Sequence, residues 1–234
     1  MRFTRRLVDS GLHGLTSLLC RVDAAQLARV PERGPLILVA NHINFLEIPV
    51  LYTRMGTRPI RVFTKAETWN SLHMRCLFDL SKAIPVRRGE ADTDALRNAL
   101  SALEAGHILA IAPEGTRSGD GRLTRGYPGV VMMALRSGVS LLPMAYYGGE
   151  SFKRNVTHLR RTDFHVVVGQ PFQLNADGVK VTREVRQQMV DEIMYQIAAL
   201  LPPAYRGYYS DLSAATETYL RFSDTSESNL SRAK

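Results

Sequence analysis

The chain has 234 residues, 45% of them hydrophobic: enough apolar material for one ordinary α/β domain, and too much for a disordered chain. Lys and Arg number 30 against 22 Asp and Glu, a formal charge of +8, which favours anionic partners such as phosphorylated small molecules, anionic lipid or nucleic acid. Two cysteines, Cys20 and Cys76, exclude a disulfide framework and read as small buried hydrophobes in a reducing compartment.

The first apolar segment, LVDSGLHGLTSLLCRV at 7–22, falls short of the roughly 20 apolar residues of a membrane span and is broken by Asp9, His13 and two glycines. No small-residue cleavage site follows a continuous apolar core, so it is not a secretory signal either. Leu7, Leu12, Leu15, Leu18 and Leu19 share one face of a helix, flanked by Arg2, Arg5, Arg6 and Arg21. That arrangement suits a helix lying in a membrane interface, and equally one packing its leucines on a core. Five short apolar runs follow: LILVA (36–40), IRVFT (60–64), ILAIA (108–112), LLPMAY (141–146) and FHVVVG (164–169). Continuous runs of this kind are strands buried on both faces, which implies a mostly parallel sheet with helices on both sides. Helices are expected over 92–106, where Asp92 or Asp94 caps a Leu96, Ala99, Leu100, Leu103 stripe that ends at Gly106. Further helices are expected over 127–138, closing on Gly138, and over 182–201, with Val185, Met189, Ile193, Ile197 and Leu200 in a stripe that stops at Pro202-Pro203. The final SDTSESNLSRAK is polar and expected to be mobile. The expected division is a helical arm over 1–33, one domain over 34–205 and an extension over 206–234.

Four strand ends carry chemistry. NHINFLE (41–47) follows the first strand, and open α/β sheets place ligands at the carboxyl ends of their strands. His42 can accept a proton near neutral pH, and Glu47 supplies a carboxylate to fix its tautomer if the chain turns between them. PEGTRSGDGRL (113–123) follows the ILAIA strand directly. There Gly115 permits close backbone approach, Thr116 and Ser118 offer hydroxyls, and Arg117 offers a fork suited to phosphate. The bland reading of that segment is a polar turn punctuated by Gly119-Asp120-Gly121. Lys65 after IRVFT and Arg87 after AIPV stand at comparable places, so the three cations make a phosphate-binding rim around a general base. No Cys/His spacing of a metal site appears, and no metal is expected.

Taken in order, NHINFLE, KAETW, AIPVRR, PEGTRS and LLPMAY resemble the four motif blocks of the glycerolipid acyltransferases, and in particular the PlsC-like 1-acylglycerol-3-phosphate acyltransferases, over about residues 34–150. The resemblance implies the α/β fold of glycerol-3-phosphate acyltransferases. It implies a His42–Glu47 catalytic dyad with Asn41 ahead of it. It also implies acceptor-phosphate binding by Lys65, Arg87, Glu114, Gly115, Thr116 and Arg117, with Ser118 beside them, and a site shaped by Pro143. The expected reaction is O-acyl transfer from acyl-CoA or acyl carrier protein to a lysophospholipid hydroxyl, without a cofactor, by a peripheral or monotopic protein on the cytoplasmic face of a membrane. Glu47 departs from the family's NH-x4-D pattern by one methylene, about 1.5 Å of reach. Arg125 stands where Lys is common, with charge kept. The departure at Glu47 leaves room for a non-catalytic lysophospholipid-binding protein. An acyl-thioester hydrolase is the other rival, although the missing G-x-S-x-G elbow argues against a serine esterase. Nucleic acid is not an expected partner, because the positive charge is scattered without interleaved aromatics. Trp69 reads as core or interface.

Overall fold

The computed structural model describes residues 2–56, 58–67, 82–87 and 92–233, with 2–9 as backbone only. Trp69 and Cys76 lie outside them. Helix α1 (Arg2–Leu19) leads into strand β1 (Cys20–Asp23), and β2 (Leu36–Ala40) into α2 (Glu47–Arg54). Next come β3 (Ile60–Lys65), β4 (Ile84–Val86), α3 (Thr93–Glu104) and β5 (Ile108–Ile111). Helix α4 (Gly129–Ser137), β6 (Leu141–Tyr147), α5 (Phe152–Thr157) and β7 (Thr162–Val168) follow. The chain then forms β8 (Gln173–Leu174), α6 (Arg183–Leu200) and β9 (Leu220–Arg221).

Among the described residues the main sheet has the order β1-β7-β6-β2-β5-β3-β4, and β8 pairs with β9 in a small ribbon. The five strands from β6 to β4 run parallel; β7 is antiparallel to β6, and β1 is parallel to β7. The sheet is mostly parallel, as the apolar runs imply. Strand β2 is buried at every residue. Its Ile37 and Val39 face a core built with α3, α4 and α6, while Leu36, Leu38 and Ala40 face a second core that includes Val50 and Leu51 of α2 and Phe152 of α5. Two covered faces explain why β2 reads as a continuous apolar run rather than an alternating one.

Two expectations are corrected at the ends. The arm over 1–33 is not helical throughout: at Cys20 it becomes the edge strand β1, paired with β7. The leucine stripe of α1 is also divided. Leu19 packs on the core, whereas Leu15 and Leu18 are exposed. At the other end, the polar tail lies against α6: the Gln196 amide donates to Glu217 and Ser228 and accepts both N–H groups of Asn229, which is buried.

The topology puts the site where the connections diverge. From β2 the chain crosses to β3, returns to β5 beside β2, and then passes to β6 on the other flank. The carboxyl end of β2 therefore lies between two loops that leave in opposite directions, the usual place for a ligand in an open sheet.

Candidate active site

His42 leaves β2 two residues after Ala40. The intervening Asn41 is buried and works as an extension of the strand: its amide donates to the Tyr146 carbonyl at 2.9 Å and accepts the Tyr146 N–H at 2.7 Å. The chain then turns sharply. Asn44 accepts the Leu46 N–H at 2.8 Å, an Asx turn, and donates to the Gly149 carbonyl at 2.7 Å. Helix α2 starts at Glu47, and its Pro49 falls in the first turn, where no helical N–H is needed.

This turn brings Glu47 back under His42. Glu47 Oε1 accepts the N–H groups of Ile43 at 2.8 Å and Asn44 at 2.9 Å. Its Oε2 lies 3.3 Å from His42 Nδ1 and, among the described residues, accepts no hydrogen bond. The Glu47 side chain is 5% exposed and that of His42 is 23% exposed. Among the described residues nothing hydrogen-bonds His42 Nε2, so one imidazole nitrogen faces a buried carboxylate and the other is free. Burial, and next the Glu47 charge, push the nearby Tyr146 phenol above its ordinary range, so it stays neutral.

The PEGTRS loop is stitched to this turn. Ser118 donates its N–H to the His42 carbonyl at 2.8 Å, and Gly119 donates to Ile43 at 3.2 Å. Gly115 takes a left-handed φ of +66°. The Tyr127 ring lies 3.5 Å from where a Cβ on Gly115 would sit. Glu114, assigned by resemblance to the phosphate group, is placed otherwise: it is 1% exposed and both its oxygens are occupied. Oε1 accepts the His42 N–H at 2.9 Å, and Oε2 accepts the Thr124 N–H and hydroxyl, both at 2.8 Å. Burial raises its pKa, and the bonds from Thr124 and His42 act against that rise.

The cations lie along the same edge without touching the dyad. Leu38, Ala110 and Val62 are in register across β2, β5 and β3, so three residues further on Asn41, Pro113 and Lys65 are level. Val86 pairs with Lys65, which puts Arg87 level with His42 and Glu114. At the usual strand spacing, β3 and β4 stand about 10 and 14 Å from β2. Lys65 is half exposed and pairs with Glu67 at 3.4 Å; Arg87 and Arg117 are exposed, as is Thr116. No hydrogen bond or ion pair among the described residues joins these cations to His42. Pro143 is buried in β6 opposite Val39, about 10 Å back along the strand from Tyr146, so it belongs to the sheet rather than the rim. Its missing N–H faces past the end of β7, where its carbonyl accepts from Gly169 at 2.9 Å. Asn44, which holds the turn between His42 and Glu47, and Thr124, which holds Glu114, were not singled out by sequence; only the Asx-turn habit of Asn44 was readable in advance.

Comparisons with known proteins converge on this region. The Acyltransferase family model matches residues 21–147, more than half of the chain. The chloroplastic 1-acyl-sn-glycerol-3-phosphate acyltransferase of Arabidopsis thaliana is 28% identical over 131 residues, 55% of this chain and 36% of that protein. The lyso-ornithine lipid O-acyltransferase of Pseudomonas aeruginosa is 32% identical over 115 residues, 48% of this chain and 43% of that protein. The chain thus spans less than half the length of either relative. The crystal structure of the 1-acyl-sn-glycerophosphate acyltransferase PlsC from Thermotoga maritima superposes with a TM-score of 0.58 at 21% identity, covering 82% of this chain and 78% of that one, a likeness of fold. With the family match enclosing the β2 turn, the PEGTRS loop and the strands that carry them, the chain belongs to the acyltransferase family.

Proposed function

We propose that the protein transfers a fatty acyl group from an acyl thioester to the free hydroxyl of a lysophospholipid, most simply 1-acylglycerol-3-phosphate, giving phosphatidic acid. One observation carries this reading: the contact of His42 Nδ1 with Glu47 Oε2 at 3.3 Å, at the carboxyl end of β2, with Nε2 left for a substrate. A contact this loose is compatible with a dyad that tightens when substrate binds. His42 Nε2 takes the proton of the acceptor hydroxyl as its oxygen attacks the thioester carbonyl. The carbon–sulfur bond then breaks, and the imidazolium returns the proton to the leaving thiolate. No acyl-enzyme forms. General-base help of this kind is worth roughly 10²–10⁴ in rate. Glu47 fixes the tautomer with Nδ1 protonated and stabilises the imidazolium. Lys65, Arg87 and Arg117 hold the acceptor phosphate, so its binding energy positions the hydroxyl. Glu114 shapes the site by holding the His42 backbone rather than by touching the acceptor.

The acceptor is a membrane lipid, and the surface beside the site suits it. Phe45 and Ile48 flank Glu47 and are exposed, as are Leu15 and Leu18 of α1, which packs against α2. These exposed apolar side chains are the ones a lipid surface would meet. Among the described residues no helix is long and apolar enough to cross a membrane.

The test supplies wild-type protein with oleoyl-CoA, with and without lysophosphatidic acid, and follows both free thiol and phosphatidic acid. Acceptor-dependent phosphatidic acid is the expected result. Thiol release that ignores the acceptor would instead make the protein a thioester hydrolase. Lysophosphatidic acid bound without turnover would make it a binding protein. In the same assay Arg117→Ala should raise the acceptor Michaelis constant and leave that of the donor alone; an effect confined to the donor contradicts a phosphate role.

A further inference from the structure

The turn between α5 and β7 holds a leucine that its place in the fold does not favour. Helix α5 closes with the paired bonds of a Schellman motif: Leu159 donates its N–H to the Val156 carbonyl at 3.1 Å, and Arg160 donates to that of Asn155 at 2.8 Å. Leu159 thus occupies the left-handed position, at φ +54°, that glycine takes at lowest cost. Its side chain is 97% exposed, so no packing inside the molecule offsets that cost. A single exposed leucine ordinarily means little. Here the backbone disfavours it and the core does not use it, so its apolar surface serves only something outside the chain.

The turn is also basic. Lys153, Arg154, Arg160 and Arg161 lie between Ser151 and Thr162 with no carboxylate among them, and all are exposed. Arg161 is committed to α1, donating to the carbonyls of Ser17 at 2.6 Å and Cys20 at 2.7 Å. Arg154 reaches only the Ser151 hydroxyl at 3.4 Å, and the Lys153 and Arg160 side chains make no hydrogen bond or ion pair among the described residues. Of the two flanking acids, Asp163 is matched by Arg21 at 3.5 Å and Glu150 is turned to the Tyr205 hydroxyl at 2.8 Å, so cations remain in clear excess. The sheet register puts this turn on the edge that carries His42. Tyr147, at the end of β6, pairs with His165, and the antiparallel β7 starts three residues earlier at Thr162. Thr162 therefore stands about 10 Å beyond Tyr147, in the direction of the His42 loop. Cys20 pairs with Thr162, so α1, with Leu15 and Leu18 exposed, ends at the same place. On the other side, Phe152 of α5 meets Phe45 of the dyad turn edge-on, ring centroids 5.4 Å apart. An apolar tip among cations matches an anionic membrane, with phosphates outside and acyl chains beneath.

We propose that the α5–β7 turn anchors the protein on anionic phospholipid: Leu159 enters the acyl layer, and Lys153, Arg154 and Arg160 meet the lipid phosphates, which sets the His42 edge against the membrane that holds the acceptor. The inference rests on the lipid-acceptor reading for its purpose, and adds the segment that docks and the charge of the lipid it selects. It is tested by sedimentation of the full chain with vesicles of phosphatidylcholine alone and of phosphatidylcholine mixed with phosphatidylglycerol, beside thermal melts without lipid. Wild type should bind the mixed vesicles more tightly. Leu159→Gly should bind them about tenfold more weakly, the worth of one apolar side chain withdrawn from the acyl layer, yet melt no lower than wild type, because glycine suits the left-handed position. A leucine with a merely structural role would do the opposite, moving the melt and sparing the binding. Lys153→Ala and Arg160→Ala should each cost about fivefold on mixed vesicles and little on phosphatidylcholine. Equal wild-type affinity for the two kinds of vesicle overturns the proposal, and so does unchanged vesicle binding by folded Leu159→Gly. Leu159-dependent vesicle binding by a protein that transfers no acyl group sinks the catalytic reading and leaves the anchor assigned; acyl transfer beside vesicle binding that ignores Leu159 does the reverse.

Discussion

Glu47 uses the methylene that sets it apart from the NH-x4-D pattern. One oxygen is committed to the N–H groups of Ile43 and Asn44, and the other faces His42. A carboxylate shortened by about 1.5 Å reaches one set of partners or the other, not both. Glu47→Asp is therefore expected to lower kcat by roughly tenfold to a hundredfold, the scale of a 1 Å displacement in a catalytic array. Equal or faster turnover in that variant would show that Glu is a handicap here. Glu114 invites a separate test. As a positioning residue it should leave the acceptor constant unchanged in Glu114→Gln while kcat falls, whereas a direct acceptor contact would raise that constant. Its pKa is raised in the native state, chiefly by burial, so over the range between its ordinary value and the raised one the native state holds more proton than the unfolded. Wild type should accordingly lose stability relative to Glu114→Gln as pH rises through that window from the ordinary carboxyl range. Thermal melts at stepped pH would show this, and a difference that does not vary with pH would contradict it.

At the scale of elements, the site is a strand end prolonged by a side chain. Asn41 continues the β2–β6 ladder through two hydrogen bonds to Tyr146. Asn41→Leu leaves a buried N–H and a buried carbonyl unpaired, and should cost about 2–5 kcal/mol in urea unfolding; a loss below 1 kcal/mol would mean the clamp is idle. The sequence revealed β2, β5 and β6 because both faces of these strands are covered and their apolar runs are unbroken. It hid β1, an edge strand of four residues with mixed exposure and no pattern to read, and showed β4 only as the apolar triplet ahead of Arg87. It hid α2 as well, since eight residues containing a proline carry little periodicity. His42 and Glu47 were legible as a spacing, but the turn that joins them depends on Asn44, Gly149 and the Glu47 cap. The clamp on Glu114 was out of reach, because it needs Thr124 and the His42 backbone to meet through the fold. The tail reads as solvent-loving by composition. Its anchor Gln196 was not singled out by sequence; with Glu192 it is a polar residue beside the apolar stripe of α6 that needs partners once buried.

The whole molecule is a two-faced sheet whose candidate site lies at the carboxyl ends of its parallel strands. Lys65 and Arg87 lie beyond β3 and β4, and exposed apolar side chains stand on α1 and at the start of α2. The charge of +8 fits the anionic acceptor proposed above. The exposed apolar side chains carry their own prediction. Leu15→Ser with Leu18→Ser should reduce sedimentation with anionic liposomes several-fold without lowering the melting temperature, because both side chains are exposed; sedimentation equal to wild type would remove the lipid-docking role. The account as a whole turns on His42. Its most direct test is the rate of phosphatidic acid formation from oleoyl-CoA and lysophosphatidic acid by His42→Ala, alongside wild type and with the fold of both checked by circular dichroism. A folded variant slowed at least a hundredfold, beside an active wild type, is the expected result, the lower end of what general-base catalysis supplies. A folded His42→Ala protein turning over at the wild-type rate would contradict it.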